Sequence, residues 1–232
     1  MRTVAPRAFV SVRNKEGFTE GHTCRMILAV KEEKGARKKK VYAAKTFARG
    51  AMVCPCCQYV LEESVAECPK CGFSGQVAVQ KFPFPAPPLS AVIDPSNQLT
   101  KEEAAAISKK VEKFRSRLPQ VRFLNCIVPL EDDVNLREFG FWLFNAGEMK
   151  EGNDAKSFAV FLLINPKKRT VSVTVGYGLE PFVEDKDWVR ICEGCRDLFY
   201  RQKYREGIER FLNESIEYLS EQALAVQKEA KK

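Results

Sequence analysis

Four cysteines in two closely spaced pairs are the residues of this chain most suited to chemistry. Cys54 and Cys57 form the first pair, and ten residues separate it from the second pair, Cys68 and Cys71. Two tight turns at this spacing can each present two thiolates to one tetrahedral ion, as structural zinc sites require. The spacing therefore predicts a Zn²⁺ ion held by Cys54, Cys57, Cys68 and Cys71.

The predicted site would be closed, because four protein thiolates leave no open position for a catalytic water. The segment is too short to bury a sizeable core, so its folding should depend on the ion. A redox pair or a rubredoxin-like iron site is the alternative, since four thiolates also bind iron. Cys56 lies inside the first pair, which leaves two candidates for the second ligand, and the spacing favours Cys57.

The string MVCPCCQYVLEESVAECPKCGF, residues 52–73, closely resembles the short zinc ribbons at the N-termini of many bacterial proteins. Gly72 follows the second pair, where a turn brings backbone amides toward the sulfurs. Gln58 stands at the equivalent place after the first pair, where such ribbons commonly have glycine.

Two other features could support catalysis but have simpler interpretations. Cys192 and Cys195 have redox-motif spacing, yet both lie on the apolar stripe of a predicted helix, which favours buried core thiols. The single histidine, His22, lies in a basic N-terminal region. A hydrolase built on the remainder of the chain would therefore depend on metal and carboxylates.

Charge is unevenly distributed along the 232 residues. Residues 1–51 hold 13 Lys and Arg against 4 Asp and Glu, a net charge of +9, and the remainder holds 25 against 26, a net charge of −1. We interpret residues 1–51 as a basic, mostly flexible arm, with nucleic-acid contact as the alternative to a solvated tail. No apolar stretch is long enough to span a membrane, and the odd number of cysteines favours a reducing compartment, so we predict a cytoplasmic protein.

The elements that must position these groups follow the cysteine pairs. We assign residues 52–75 to the zinc ribbon, 76–92 to a proline-rich linker, 93–222 to an α/β domain and 223–232 to a charged tail. In the domain, the Thr100 and Glu103 capping box begins a helix predicted over Lys101–Arg117. Val121–Val128 and Phe158–Ile164 read as strands, and a turn joins the latter to the alternating strand Thr170–Val175. Two helices complete the domain, which should be an α/β/α sandwich around a mixed sheet.

Residues 93–219 resemble the TPM domain family. The resemblance rests on IDPSNQLT (Ile93–Thr100), FLLINPKKRTVSVTVGYGLEP (Phe161–Pro181) and YREGI (Tyr204–Ile208). In the second string, we attribute Gly176 and Gly178 to a need for positive φ where the strand leaves the sheet. The family implies an α/β/α sandwich, and its members have been linked with phosphatase activity, divalent-metal binding and assistance in the repair of membrane complexes.

The candidate ligands of a divalent cation, Ca²⁺ or Mg²⁺, are Asp94, Asp154, Glu180 and Asp185, because hard cations prefer oxygen atoms clustered at loop ends. The simpler interpretation is that these carboxylates belong to turns and helix starts. The Asp-Asn-Gly that the family usually carries before the central strand is replaced by Asn153-Asp154-Ala155, which weakens the case for an intact acidic site.

Three functions are compatible with these features. The first is an adaptor, in which the zinc ribbon and the TPM-like domain bind a protein or complex partner without chemistry. The second is a metal-dependent phosphatase that uses the domain carboxylates. The third is nucleic-acid binding through the ribbon and the basic arm, with Lys38–Lys40 neutralising phosphates.

Overall fold

A five-stranded sheet is the centre of the computed structural model, which describes residues 10–12, 52–61, 65–176 and 178–229. The strands are β1 (Val10–Val12), β2 (Met52–Val53), β3 (Val60–Leu61), β4 (Val92–Ile93), β5 (Arg122–Ile127), β6 (Ala159–Asn165) and β7 (Thr170–Val175). The helices are α1 (Gly75–Lys81), α2 (Lys101–Phe114), α3 (Leu136–Ala146), α4 (Asp185–Tyr200) and α5 (Tyr204–Glu229). Short 3-10 helices cover Asn153–Phe158 and Glu180–Phe182.

The sheet is mixed, as the sequence predicts. Its strand order is β1-β7-β6-β5-β4, in which β4, β5 and β6 are parallel and β7 is antiparallel to β6. Strand β1 pairs with β7, with Val10 opposite Val173. This strand lies within the segment assigned to a flexible arm, and the other residues of that arm, including His22 and Lys38–Lys40, lie outside the described residues.

Alternation along the central strands divides the core into two clusters. Val160, Leu162 and Ile164 of β6 contact one cluster, which also contains apolar residues of α2, α4 and α5. Phe161 and Leu163 face the other cluster, which is formed by α3 and the cysteine region. Because successive strand residues point to opposite faces, this buried strand requires apolar residues at nearly every position. The result is a three-layer α/β/α arrangement.

The helix starts follow local signals. Thr100 accepts a hydrogen bond from the Glu103 amide, and the Glu103 carboxylate accepts one from the Thr100 amide, so the predicted capping box of α2 is confirmed. Asn135 caps α3 by accepting from the Arg137 amide. Helix α2 ends at Phe114, three residues before the predicted end.

The segment assigned to a linker is largely packed against the domain. Helix α1 occupies its beginning, and Phe82 and Leu89 are buried. The prolines do favour extended backbone, but the aromatic side chains between them lie against α3. At the other end, α5 continues to Glu229, so the segment assigned to a charged tail is helical over its described part. Within the described residues, no helix is both long enough and apolar enough to cross a membrane.

Candidate functional site

The structure brings the four predicted thiols together. The ligand atoms of Cys54, Cys57, Cys68 and Cys71 all lie within 4.8 Å of one another. The sulfurs of Cys54 and Cys71 are 3.6 Å apart, as are those of Cys57 and Cys68. Four thiolates around a tetrahedral ion with bonds of about 2.3 Å would be separated by about 3.8 Å. The donor set and its spacing therefore fit one tetrahedral metal ion.

Two turns of the same geometry present the thiols. The Cys54 amide donates to the Tyr59 carbonyl at 2.9 Å, and the Cys68 amide donates to the Phe73 carbonyl at 2.9 Å. Burial acts to raise the pKa of the Cys57 thiol, but the Tyr59 amide and the neighbouring thiols outweigh it and bring this pKa down to about 7. At Cys57 this favours the thiolate, which is the form that binds metal, whereas burial raises the pKa of the Cys54 and Cys71 thiols.

The two turns differ in the residue at their tight position. Gly72 has a φ of 71° and Gln58 has a φ of 62°, so both occupy the left-handed region. This conformation costs a residue with a side chain roughly 1–2 kcal/mol, whereas glycine adopts it freely. The missing glycine noted in the sequence therefore leaves strain in the first turn.

We expect Gln58→Gly to raise the free energy of unfolding of the metal-bound protein by about 0.5–1 kcal/mol. The gain from relieved strain is partly offset by the greater backbone entropy of glycine in the unfolded chain. Chemical denaturation at fixed metal concentration measures the change. The reciprocal variant Gly72→Gln should lower the same quantity, and a stabilising effect of Gly72→Gln would contradict the explanation.

Cys56 is not one of the four grouped thiols, in agreement with the spacing, which favours Cys57. Burial, followed by a hydrogen bond with the Glu138 carboxylate, raises the pKa of the Cys56 thiol to about 12. Glu138 lies on α3 and is 4% exposed. Its carboxylate also forms a short ion pair with the ammonium of Lys81, at the end of α1.

Helix α3 holds the cysteine region against the domain. The Arg137 Nε donates to the Pro55 carbonyl at 3.2 Å. Phe73 meets Phe141 edge to face at 5.5 Å between ring centroids, and Phe82 lies 5.2 Å from Trp142. Because these rings belong to one buried cluster, the cysteine region shares a core with the α/β domain.

A large apolar groove adjoins this contact. It has a volume of about 960 Å³ and lies between the segment Phe82–Pro87, the ends of β4 and β5, and α3. In α/β proteins, ligands bind preferentially at the carboxyl ends of the strands. Sequence reasoning did not identify this groove. The aromatic residues between prolines in FPFPAPP were the available signal, because exposed linkers rarely need such side chains.

The four candidate carboxylates do not lie together. Asp94 follows β4 at the carboxyl edge of the parallel strands, and its carboxylate accepts from the Leu99 amide at 2.8 Å and from the Ser96 hydroxyl at 3.3 Å. Asp154 precedes β6, while Glu180 and Asp185 follow the antiparallel β7, so these three residues belong to the opposite edge. The seven residues of β6 span about 23 Å, which excludes Asp94 from any site at that edge.

The remaining carboxylates differ in their surroundings. Glu180 is buried, whereas Asp185 is exposed at the first residue of α4. Asp154 lies in the first 3-10 helix, and its side chain lies outside the described part. Among the described residues, the four cysteines are the only group of three or more His, Cys, Asp or Glu side chains arranged to hold a metal ion.

Gly176 and Gly178 serve a different purpose from the predicted one. Neither has a positive φ. A Cβ on Gly176 would lie 2.0 Å from the Lys156 carbonyl oxygen, and one on Gly178 would lie 2.6 Å from the Phe158 ring. The glycines are therefore required by the close approach of this strand end to the first 3-10 helix, and Tyr177 between them lies outside the described residues.

Lys156 is a buried cation that sequence reasoning missed. Its ammonium donates to the carbonyl of Gly147 at 2.5 Å and to that of Asn145 at 3.3 Å, which satisfies carbonyls at the end of α3. Burial lowers the pKa of this lysine to about 8. The bonding to helix carbonyls indicates a structural role.

Cys192 and Cys195 are core thiols, as the apolar stripe of α4 indicated. Both are buried in the cluster that contains Trp188 and Leu212. Burial raises the pKa of both thiols, that of Cys195 to about 12. The thiolate needed for redox chemistry is therefore disfavoured at these positions.

Comparison with solved structures finds domains to which this chain is similar. The chain is similar to the solved N-terminal domain of a protein from P. gingivalis, at 21% identity over 61% of this chain and 87% of that one, with a TM-score of 0.45. A solved N-terminal domain from Corynebacterium glutamicum matches at 9% identity over 55% of this chain and 78% of that one, with a TM-score of 0.44. No curated protein shows significant similarity.

The family comparison covers strands β4 to β7 of the mixed sheet and the helices from α2 into α5. A family model described as "TPM domain" matches residues 92–218, from β4 to within α5. This range contains Gly176 and Gly178, which lie close to the first 3-10 helix. It also contains the hairpin of β6 and β7 on which the resemblance rested. Because the match spans more than half of the chain, the protein belongs to the TPM domain family.

Proposed function

We propose that this protein is a zinc-stabilised adaptor, in which a four-cysteine ribbon and a TPM domain act as one unit that binds a protein partner without catalysing a reaction. The observation that carries the proposal is the fixed contact of the ribbon with α3. Arg137 bonds to the Pro55 carbonyl within the first cysteine turn, and Phe73 and Phe82 pack on α3. A metal site built this way would stabilise a binding surface and would take no part in a reaction.

Zinc is the ion proposed for the four thiols. A closed set of four thiolates in tetrahedral spacing suits Zn²⁺ and, second to it, iron. Cys54, Cys57, Cys68 and Cys71 would hold the ion, and its contribution would be the folding of the ribbon. We further propose that the protein acts in a reducing compartment, the cytoplasm, because the site requires reduced thiols.

A phosphatase is the second candidate. Asp154, Glu180 and Asp185 belong to the same edge of the sheet, and a Ca²⁺ or Mg²⁺ ion held there could support hydrolysis. The displacement of Asp94 to the opposite edge removes one of the four predicted ligands and favours the adaptor. Nucleic-acid binding through the basic arm is a third candidate, and it predicts affinity that falls steeply with salt.

Metal content and turnover, measured on the purified full-length protein, test the adaptor against the phosphatase. We expect about one zinc and no iron per chain by elemental analysis, and no release of phosphate from generic phosphomonoesters with Mg²⁺, Mn²⁺ or Ca²⁺. Turnover that depends on a divalent cation and is lost in both Glu180→Gln and Asp185→Asn would overturn the adaptor proposal. Iron in place of zinc would overturn the metal assignment alone.

A further inference from the structure

The groove beside the ribbon is built by both parts of the protein. One wall is the segment Phe82–Pro87, which leaves helix α1 of the cysteine region. The other wall comes from α3 and from the loop after β5, with Trp142 and Leu130 among its residues. Its volume of about 960 Å³ is at the upper end of the range for ligand sites. The groove therefore exists only when the ribbon segment is packed on the domain.

Aromatic rings give the groove an exposed apolar surface suited to binding. Phe84 is 42% exposed, although it packs edge to face on Trp142 with 4.8 Å between ring centroids. Phe82 lies behind both rings. An exposed ring supported by buried rings resembles the anchor points of interfaces, where aromatic residues dominate the binding energy. The groove thus offers a preformed apolar surface.

The size of the groove and the course of its proline-containing wall favour a peptide over a small molecule. Five of the six residues Phe82–Pro87 line the groove, so this wall presents several successive apolar residues to a segment that lies alongside it. A peptide of several residues could place more than one apolar side chain against this wall.

The charges on the groove favour a basic partner. Lys81, Asp94, Glu131 and Asp133 line it, a net charge of −2. The Lys81 ammonium is already paired with Glu138, and Glu131 is paired with Lys167 at 2.6 Å. Asp133 is exposed and interacts with the Lys167 ammonium through charge alone. A lysine or arginine of the partner would therefore meet an exposed carboxylate at the rim of a groove whose lining has a net negative charge.

We propose that this groove binds an extended apolar peptide segment of a partner protein, flanked by lysine or arginine. The inference rests on the proposed adaptor function and specifies the chemistry of its partner. The apolar residues of the peptide would cover Phe84 and Trp142, and its basic flank would lie near Asp133.

Three fluorescein-labelled synthetic peptides test this proposal by fluorescence anisotropy with the full-length, zinc-containing protein. The first has the core Leu-Ala-Phe-Ala-Leu-Ala and two lysines at each end. The second has the same core with glutamates in place of the lysines, and the third keeps the lysines but has a serine and glycine core. We expect the first peptide to bind about tenfold more tightly than either of the others. Equal binding of all three would overturn the proposal.

Matched variants locate the binding. Phe84→Ser should lower the affinity for the first peptide about tenfold or more. Phe182→Ser is the control, because Phe182 is also 42% exposed but lies at the opposite edge of the sheet. Asp133→Lys should lower the affinity for the lysine peptide about fivefold and raise the affinity for the glutamate peptide. Asp197→Lys, an equal change of charge on α4, should do neither.

The same protein preparation tests the groove assignment and the adaptor proposal separately. Zinc content and phosphate release are measured on the same preparation as peptide binding. The protein could contain zinc, release no phosphate and bind the first peptide with the same affinity after Phe84→Ser. This result would overturn the groove assignment and leave the adaptor proposal in place. Concentration-dependent self-association that Phe84→Ser abolishes would show that a second copy occupies the groove, and it would also overturn the peptide proposal.

Discussion

Replacement of Cys68 by serine is expected to abolish stoichiometric metal binding and to lower the free energy of unfolding by about 5 kcal/mol. Loss of one of four thiolates removes most of the metal binding energy, which in small zinc modules is about 10–16 kcal/mol and drives their folding. The effect should extend beyond the ribbon, because Phe73 and Phe82 pack on Phe141 and Trp142 of α3. Ribbon unfolding would expose those rings to water.

Tryptophan fluorescence distinguishes local from shared destabilisation. Trp142 lies at the contact with the ribbon, whereas Trp188 lies in the opposite core cluster. In Cys68→Ser, we expect a red-shifted emission component and stronger quenching by acrylamide, both arising from Trp142. Cys56→Ser is the control in the neighbouring turn, and it should keep one metal per chain. If Cys68→Ser loses its metal but both tryptophans remain shielded, the ribbon and the domain are energetically independent.

Gly176→Ala is expected to lower the free energy of unfolding by about 3 kcal/mol, at the upper end of the range for overpacking. The added Cβ would lie 2.0 Å from the Lys156 carbonyl oxygen and 2.6 Å from that of Ser157. Both contacts are with backbone, which cannot rotate away as a side chain would. The hydrogen bond from the Gly176 amide to the Ala159 carbonyl, 2.8 Å long, would have to stretch or break.

Chemical denaturation of Gly176→Ala and of the control Gly75→Ala measures this effect. Gly75 is the first residue of α1, and nothing lies within 4 Å of its added Cβ. Because alanine is favoured over glycine in a helix, Gly75→Ala should change the free energy of unfolding by no more than about 1 kcal/mol, in the stabilising direction. A stable Gly176→Ala with an unchanged unfolding midpoint would show that the strand end can move away from the 3-10 helix.

Local features of the candidate site could be predicted from the sequence. The Cys-x-x-Cys pairs identified the four thiols, because each pair needs only one tight turn to present two sulfurs. The preference for Cys57 over Cys56 followed from the same spacing. The capping box at Thr100 and the alternation of β7 were likewise recognisable, since they depend on residues close together in the chain.

Features that depend on distant residues were not predicted or were wrong. The proline-rich segment 76–92 was assigned to a linker, yet Phe82 is buried against α3, and no local pattern shows which partner an aromatic residue will find. The role given to Gly176 was wrong, because the atoms that exclude a Cβ belong to residues 156 and 157. A glycine at a strand end can adopt a positive φ, or it can allow another segment of the backbone to pack closely against it. The sequence does not distinguish these two roles.

By itself, the sequence determined which four thiols come together, the α/β class and the helix starts, because periodicity, capping and cysteine spacing are short-range properties of the chain. Only the tertiary structure decided that Asp94 and Glu180 lie at opposite edges of the sheet, since strand direction and order separate residues that look equivalent in the sequence. It also decided that the ribbon shares a core with α3 and that the two together form a groove. Packing between elements far apart in the chain produces such surfaces, and no single segment of the sequence encodes them.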